Sequence, residues 1–151
     1  MAWIGVAKAP AGCVFCRAFS SDDDRGQLVL ARTEHAFLIL NAYPYASGHV
    51  MVALRRHLAA ITDARVEELT EVMTLVQRVV VALGVEYRPD GYNIGVNQGG
   101  AAGAGIADHL HMHVVPRWSG DSNFLPVLGD VRVLPETLDR TWARLRSRLD
   151  G

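Results

Sequence analysis

His109-Leu110-His111-Met112-His113-Val114-Val115 alternates imidazole with apolar side chains. Successive side chains on a strand point to opposite faces. The period of two therefore predicts an extended segment with Leu110, Met112 and Val114 on one face and His109, His111 and His113 on the other. The apolar face suits a core. Three imidazoles in a row do not, because cross-strand packing favours branched and aromatic side chains. The histidine face points to chemistry instead. Imidazole ligates metals, and it is also a nucleophile and proton carrier whose charge changes near neutrality. A single catalytic metal on all three rings is one use of such a row, and nucleophilic attack or proton carriage is the other. The remaining histidines are His35, His49 and His57.

Pro116 is expected to end this strand. Upstream, Asn97 to Ile106 reads as a loop, and its Gly99-Gly100-Ala101-Ala102-Gly103-Ala104-Gly105 run would let backbone N–H groups approach anionic oxygens. Tyr92 to Val96 reads as a strand. Val66, Leu69, Met73, Val76, Val80 and Leu83 recur at steps of three and four, which predicts a helix with Asp63 as N-cap and Gly84 as the terminating glycine. Leu28 to Ala31 and His35 to Leu40 read as strands across a Thr33–Glu34 turn, and Val50 to Leu54 as a further buried strand. Pro44 and Gly48 mark Asn41 to Gly48 as loop, and Ser20 to Arg25 is a polar loop or turn. A final amphipathic helix is expected at about 135–149. Strands early, one long helix between strands and no regular βαβ alternation predict an α+β fold.

A chain of 151 residues without internal repeats is expected to form a single domain over 1–151, able to bury a core without disulfide staples. With 21% charged residues and a formal net charge of −1, it has no basic field for a nucleic acid polymer. No apolar run reaches the roughly 18 residues of a membrane span, and Met1 to Ala11 does not resemble a secretory signal. A cytoplasmic location is expected, with neither membrane nor nucleic acid as partner.

Cys13-Val14-Phe15-Cys16 admits three readings: a redox pair, two buried thiols, or half of a metal site that needs two more ligands. The residues themselves do not choose. The sequence after the pair lacks the βαβ pattern of a thioredoxin-like redox motif.

His-x-His-x-His followed by two apolar residues resembles the signature of the histidine triad (HIT) nucleotide hydrolases and transferases, and the likeness runs from Cys13 to about Val127. Asn41 with His49 in Ser-Gly-His-Val-Met-Val, and Asn97-Gln98-Gly99, are similar to further family segments. Pro116-Arg117-Trp118-Ser119-Gly120-Asp121-Ser122-Asn123-Phe124 is similar to the branch with diadenosine polyphosphate hydrolases and phosphorylases. The resemblance implies an antiparallel sheet of about five strands with one long central helix and a C-terminal helix. It also implies a homodimer and an adenine nucleotide substrate. His111 would attack the α-phosphorus, with His113 bonding phosphate oxygens and assisting the leaving group, and His49 beside them. Asn41 would hold the ribose, Asn97 or Gln98 a phosphate oxygen, and Trp118 a second base. Ile106 stands where many members carry a hydroxyl residue, so the backbone N–H of Gly105 is the expected replacement contact. Some branches complete the cysteine pair with two histidines. Here that implies a structural zinc on Cys13, Cys16, His57 and His109, with 10–20 as a zinc-binding N-terminal segment and no organic cofactor. His35 would be an ordinary surface or edge residue. The competing functions are a metal-dependent hydrolase using the three histidines as ligands and a nucleotide-binding module without turnover.

Overall fold

The computed structural model describes residues 12–122 and 136–150. Residues 10 and 11 of the N-terminal segment, the 1–11 leader reading, Asn123, Phe124 and Pro135 lie outside them. Five strands, β1 (Val29–Arg32), β2 (Ala36–Leu40), β3 (Val50–Leu54), β4 (Gly91–Val96) and β5 (His111–Arg117), form one sheet of order β1-β2-β3-β5-β4. Every pairing is antiparallel. Helices α1 (Val14–Ser20), α2 (Val66–Tyr87) and α3 (Leu138–Leu149) complete the α+β architecture.

Each face of the sheet has its own core. Leu38, Leu40, Val52, Leu54 and Val114 pack with Leu75, Val76, Val79 and Leu83 of α2 and Leu145 and Leu149 of α3. On the opposite face Phe37, Ile39, Met51 and Ala53 meet Phe15, Cys16 and Ala18 of α1. Burial on both sides explains why β2 and β3 read as unbroken apolar runs rather than alternating ones. The sequence reading did not anticipate α1, a seven-residue helix too short for a periodic signature.

Three expected boundaries change. α2 begins after Arg65, whose backbone N–H donates to the Glu68 carboxylate at 2.8 Å, while Asp63 sits in a separate 3₁₀ turn, Ile61–Asp63. Gly84 lies inside the helix, which ends where Arg88 turns left-handed (φ 48°) ahead of Pro89. The buried stripe also rotates: Val66 and Met73 are exposed, and Glu68, Val72, Leu75, Val79 and Ala82 are buried with Val76 and Leu83. Valines at 79, 80 and 81 surround the axis, so periodicity leaves the phase of the stripe open. β5 starts at His111 rather than His109 and continues through Pro116. Pairing with β3 stops at Val114, so Pro116 has a neighbour strand only in β4, where a missing donor is tolerated.

Gly48 has φ +79°, and a Cβ there would stand 2.8 Å from Leu83 Cδ2. Gly48→Ala is therefore expected to destabilise the fold by about 1–2 kcal/mol or more, since the left-handed conformation alone costs that much for an L side chain. The check is the urea unfolding midpoint at unchanged slope.

Candidate active site and metal centre

β5 presents His111 and His113 opposite Ala53 and Met51 of β3, on the sheet face covered by α1. The Phe15 ring centroid lies 4.8 Å from that of His111 and 5.2 Å from that of His109, which removes both rings from water. His111 Nδ1 is 2.8 Å from the His109 carbonyl oxygen. A carbonyl only accepts, so Nδ1 carries the proton and Nε2 keeps its lone pair. Burial pulls the His111 pKa below the ordinary imidazole value, against the carbonyl bond that raises it, and the ring is neutral near pH 7.

A second chain of bonds orients His113. The Tyr45 backbone N–H donates to His49 Nδ1 at 3.0 Å, and His49 Nε2 lies 2.9 Å from His113 Nδ1. With both rings neutral, His49 must carry its proton on Nε2 and donate it, which leaves His113 with Nδ1 as acceptor and Nε2–H as an outward donor. Burial and then His111 lower the His113 pKa. His49 is 1% exposed, so its partners hold it rather than solvent. The Tyr45 ring lies nearly parallel to that of His113, at 6.3 Å and 20°. Sequence reasoning missed Tyr45 and Phe15; the only available signals were an aromatic residue four before His49 and another between the two cysteines.

The expected polar residues divide. Asn41 Oδ1 accepts from the Tyr43 N–H at 2.9 Å, and its Nδ2 is 3.4 Å from both ring nitrogens of His49, so it shapes the loop and adjoins the relay. Gln98 Oε1 accepts from the Ile61 N–H at 2.7 Å, tying the glycine loop to the turn before α2. Asn97 directly follows Val96, the partner of Met112, which puts it beside the start of β5. Gly105 is exposed, and Ile106 packs against the α1 core. Trp118 directly follows Arg117, the last residue of β5.

Cys13, Cys16, His57 and His109 converge so that one donor atom from each lies within 4.8 Å of the others. Cys13 Sγ to His109 Nδ1 is 3.3 Å, Cys16 Sγ to His57 Nδ1 is 3.4 Å, Cys16 Sγ to His109 Nδ1 is 3.6 Å, and the two Nδ1 atoms are 3.2 Å apart. A tetrahedral ion with zinc's bond lengths needs donor separations of about 3.3–3.8 Å. The second contacts agree. His109 Nε2 donates to the Leu54 carbonyl at 2.7 Å, which leaves the Nδ1 lone pair facing the cluster, and His57 Nε2 is 3.8 Å from an Asp108 carboxylate oxygen. Burial, then the bond to Cys13, pushes the Cys16 thiol up to about 11, so a cation is what would favour its thiolate. The residues fit a four-coordinate metal. Among the described residues, His111 and His113 belong to no group of three or more convergent ligand atoms. The three-histidine metal site is thereby corrected: His109 turns toward the cysteines because β5 begins only after it.

The HIT domain profile matches residues 24–120. An AP-4-A phosphorylase of Mycobacterium tuberculosis is 40% identical over 129 residues, 81% of this chain and 66%, just under two thirds, of that relative's own length. An adenosine 5′-monophosphoramidase of Saccharomyces cerevisiae is 30% identical over 111 residues, 74% of this chain and 66% of its own. A zinc-bound histidine triad family protein from Mycobacterium smegmatis superposes with a TM-score of 0.72 at 30% identity, covering 92% of this chain and 94% of that one. The chain belongs to the HIT domain family.

The lowered values of His111 and His113 give a sign for pH dependence. A folded-state pKa below the unfolded one means the unfolded chain takes up protons first on acidification, so stability from these rings is complete above about 6.5 and declines below it. Imidazole resonances followed by NMR from pH 8 to 5 should show both rings titrating below 6.5. A midpoint at or above that value would contradict the burial argument.

Proposed function

We propose that the protein cleaves a dinucleoside polyphosphate, such as diadenosine tetraphosphate, at the α-phosphate through a nucleotidyl-histidine intermediate on His111. One observation carries this reading: the bond from His111 Nδ1 to the His109 carbonyl, which leaves a neutral, oriented Nε2 lone pair. The 40% identical relative named an AP-4-A phosphorylase supports the substrate class.

In the first step Nε2 bonds to the α-phosphorus while the bond to the bridging oxygen breaks. The electron pair leaves with that oxygen as a polyphosphate anion, which needs no protonation to depart. His113 Nε2–H donates to the phosphate oxygens, and the Tyr45–His49 chain holds it in that tautomer. Asn97, the amide NH₂ of Gln98 and the Gly105 N–H are the further donors assigned to phosphate, and Asn41 is assigned to the ribose. Trp118 is assigned to a second base. In the second step an acceptor oxygen bonds to the phosphorus as the phosphorus–Nε2 bond breaks and its electron pair returns to His111: water, giving up a proton to solvent, yields AMP, and inorganic phosphate yields ADP. Splitting one displacement into two, with reactants prepositioned, is how such a site lowers its barrier.

Cys13, Cys16, His57 and His109 are read as ligands of a structural zinc, which would cross-link the N-terminal segment to the sheet and contribute on the order of 10 kcal/mol of gross binding energy. A cytoplasmic location would keep both thiols reduced. Among the described residues no helix is long and apolar enough to cross a membrane. A homodimer would cover the exposed edge strand β4 with Ile94, and Val81 and Val85 on the outer side of α2. The whole-chain reading, one domain over 1–151, belongs to the same proposal.

Incubation with diadenosine tetraphosphate should release ATP with AMP in phosphate-free buffer or ATP with ADP when phosphate is the acceptor. His111→Ala should lower turnover by at least about 10³-fold in a chain that still folds, as read by circular dichroism. A fully active variant would remove the nucleophile, and AMP binding without turnover by the native chain would leave a binding module. Chelation of the metal should lower the melting temperature by at least 10 °C, equivalent to about 3 kcal/mol.

A further inference from the structure

We infer that the metal cluster sets the tautomer of the nucleophile, with His109 as the positioning residue that joins them. The proposal rests on the readings of His111 as nucleophile and of the four donors as a zinc site, and adds a coupling between them. His109 is used at both ends. Its Nδ1 faces Cys13, Cys16 and His57, and its carbonyl oxygen accepts the His111 Nδ1–H at 2.8 Å. His109 lies outside the β5 ladder, so no strand pairing fixes that carbonyl. What holds the residue is a short set of contacts: the Nε2–H bond to the Leu54 carbonyl at 2.7 Å, the neighbouring Leu110 N–H bond to the Leu58 carbonyl at 2.7 Å, the Phe15 ring, and the donor cluster itself. Two of these contacts depend on the cluster. Phe15 sits between the two cysteines, and His109 supplies one of the four donors.

The physical consequence is specific. Neutral imidazole can carry its proton on either nitrogen, and only the Nδ1–H form offers Nε2 as a nucleophile. The His109 carbonyl selects that form while it is held in place. Four bonds to one ion would fix the side chain of His109, and through its short side chain the peptide plane behind it. Loss of the ion would let His109 turn, release its carbonyl from His111 and admit the Nε2–H tautomer. Cys13, Cys16 and His57 would thus act on the reaction from outside the substrate site. Outer partners of this kind change activity by 10–100-fold in metal sites.

The test uses the full chain labelled with ¹⁵N-histidine, with zinc bound and after chelation. Long-range ¹⁵N–¹H spectra read the His111 tautomer directly, independent of turnover. With zinc, His111 is expected entirely as Nδ1–H; after chelation a second, Nε2–H population should appear. Its single-turnover nucleotidylation should slow by about 10-fold or more. An unchanged His111 tautomer in the chelated, still folded protein overturns the coupling. If chelation unfolds the chain, exchange of zinc for the larger cadmium ion keeps all four ligands. The His111 Nδ1 resonance should then move together with those of His109, and movement at His109 alone overturns the proposal. A metal-dependent tautomer shift in a protein that turns over no nucleotide would establish the coupling and defeat the reading of function instead.

Discussion

A single hydrogen bond, from the His111 ring to the carbonyl two residues before it, decides which nitrogen of that ring carries the proton. An unbonded imidazole in water exchanges tautomers freely and is half protonated near its ordinary pKa. Here Phe15 excludes water, burial keeps the ring neutral, and the carbonyl settles which nitrogen bears the proton. That bond requires His109 to stand outside the ladder with its carbonyl turned toward its neighbour. The sheet provides this by starting β5 at His111 and tying Leu110 to Leu58 instead of to β3.

The same departure from the ladder separates the environment of His109 from those of His111 and His113. Had His109 continued the strand, its ring would have stood in line with His111 and His113. Its ring instead meets His57 edge-on and joins the cysteines. His113 is left to a different partner, His49, which β3 carries in just ahead of Val50. Three histidines of identical type thus occupy three environments: one in a ligand cluster, one bonded to a carbonyl, one at the end of a relay. Their chemical differences come from neighbours rather than from the imidazole itself.

Around the site, charge–charge contacts hold the connecting segments. Buried Glu68 takes both Arg56 guanidinium bonds, at 2.9 and 2.8 Å, next to His57 of the donor cluster, and Arg56 holds its carboxyl at about 2. Glu68 also receives the Arg65 backbone N–H that starts α2. One carboxylate therefore anchors the segment after β3 and the start of the long helix. The periodicity that revealed α2 could not reveal this, because a buried acid at an apolar-stripe position looks like an interruption.

Much of the molecule was legible in its residues alone. Alternation in His111 to Val115 placed His111 and His113 on the face opposite Met112 and Val114, apolar runs located β2 and β3, and three-and-four spacing located α2, because these patterns follow from the fixed geometry of strands and helices. The candidate nucleophile and the members of the ligand cluster came from the resemblance, with their residue types and order along the chain. Tertiary structure alone decided the rest: that His109 leaves the strand, that Tyr45 presents a backbone N–H to His49, that Phe15 covers His109 and His111, and that the α2 stripe turns away from Val66. Those features depend on which backbone groups lack ladder partners and on which atoms from distant segments meet, and neither is written in local spacing.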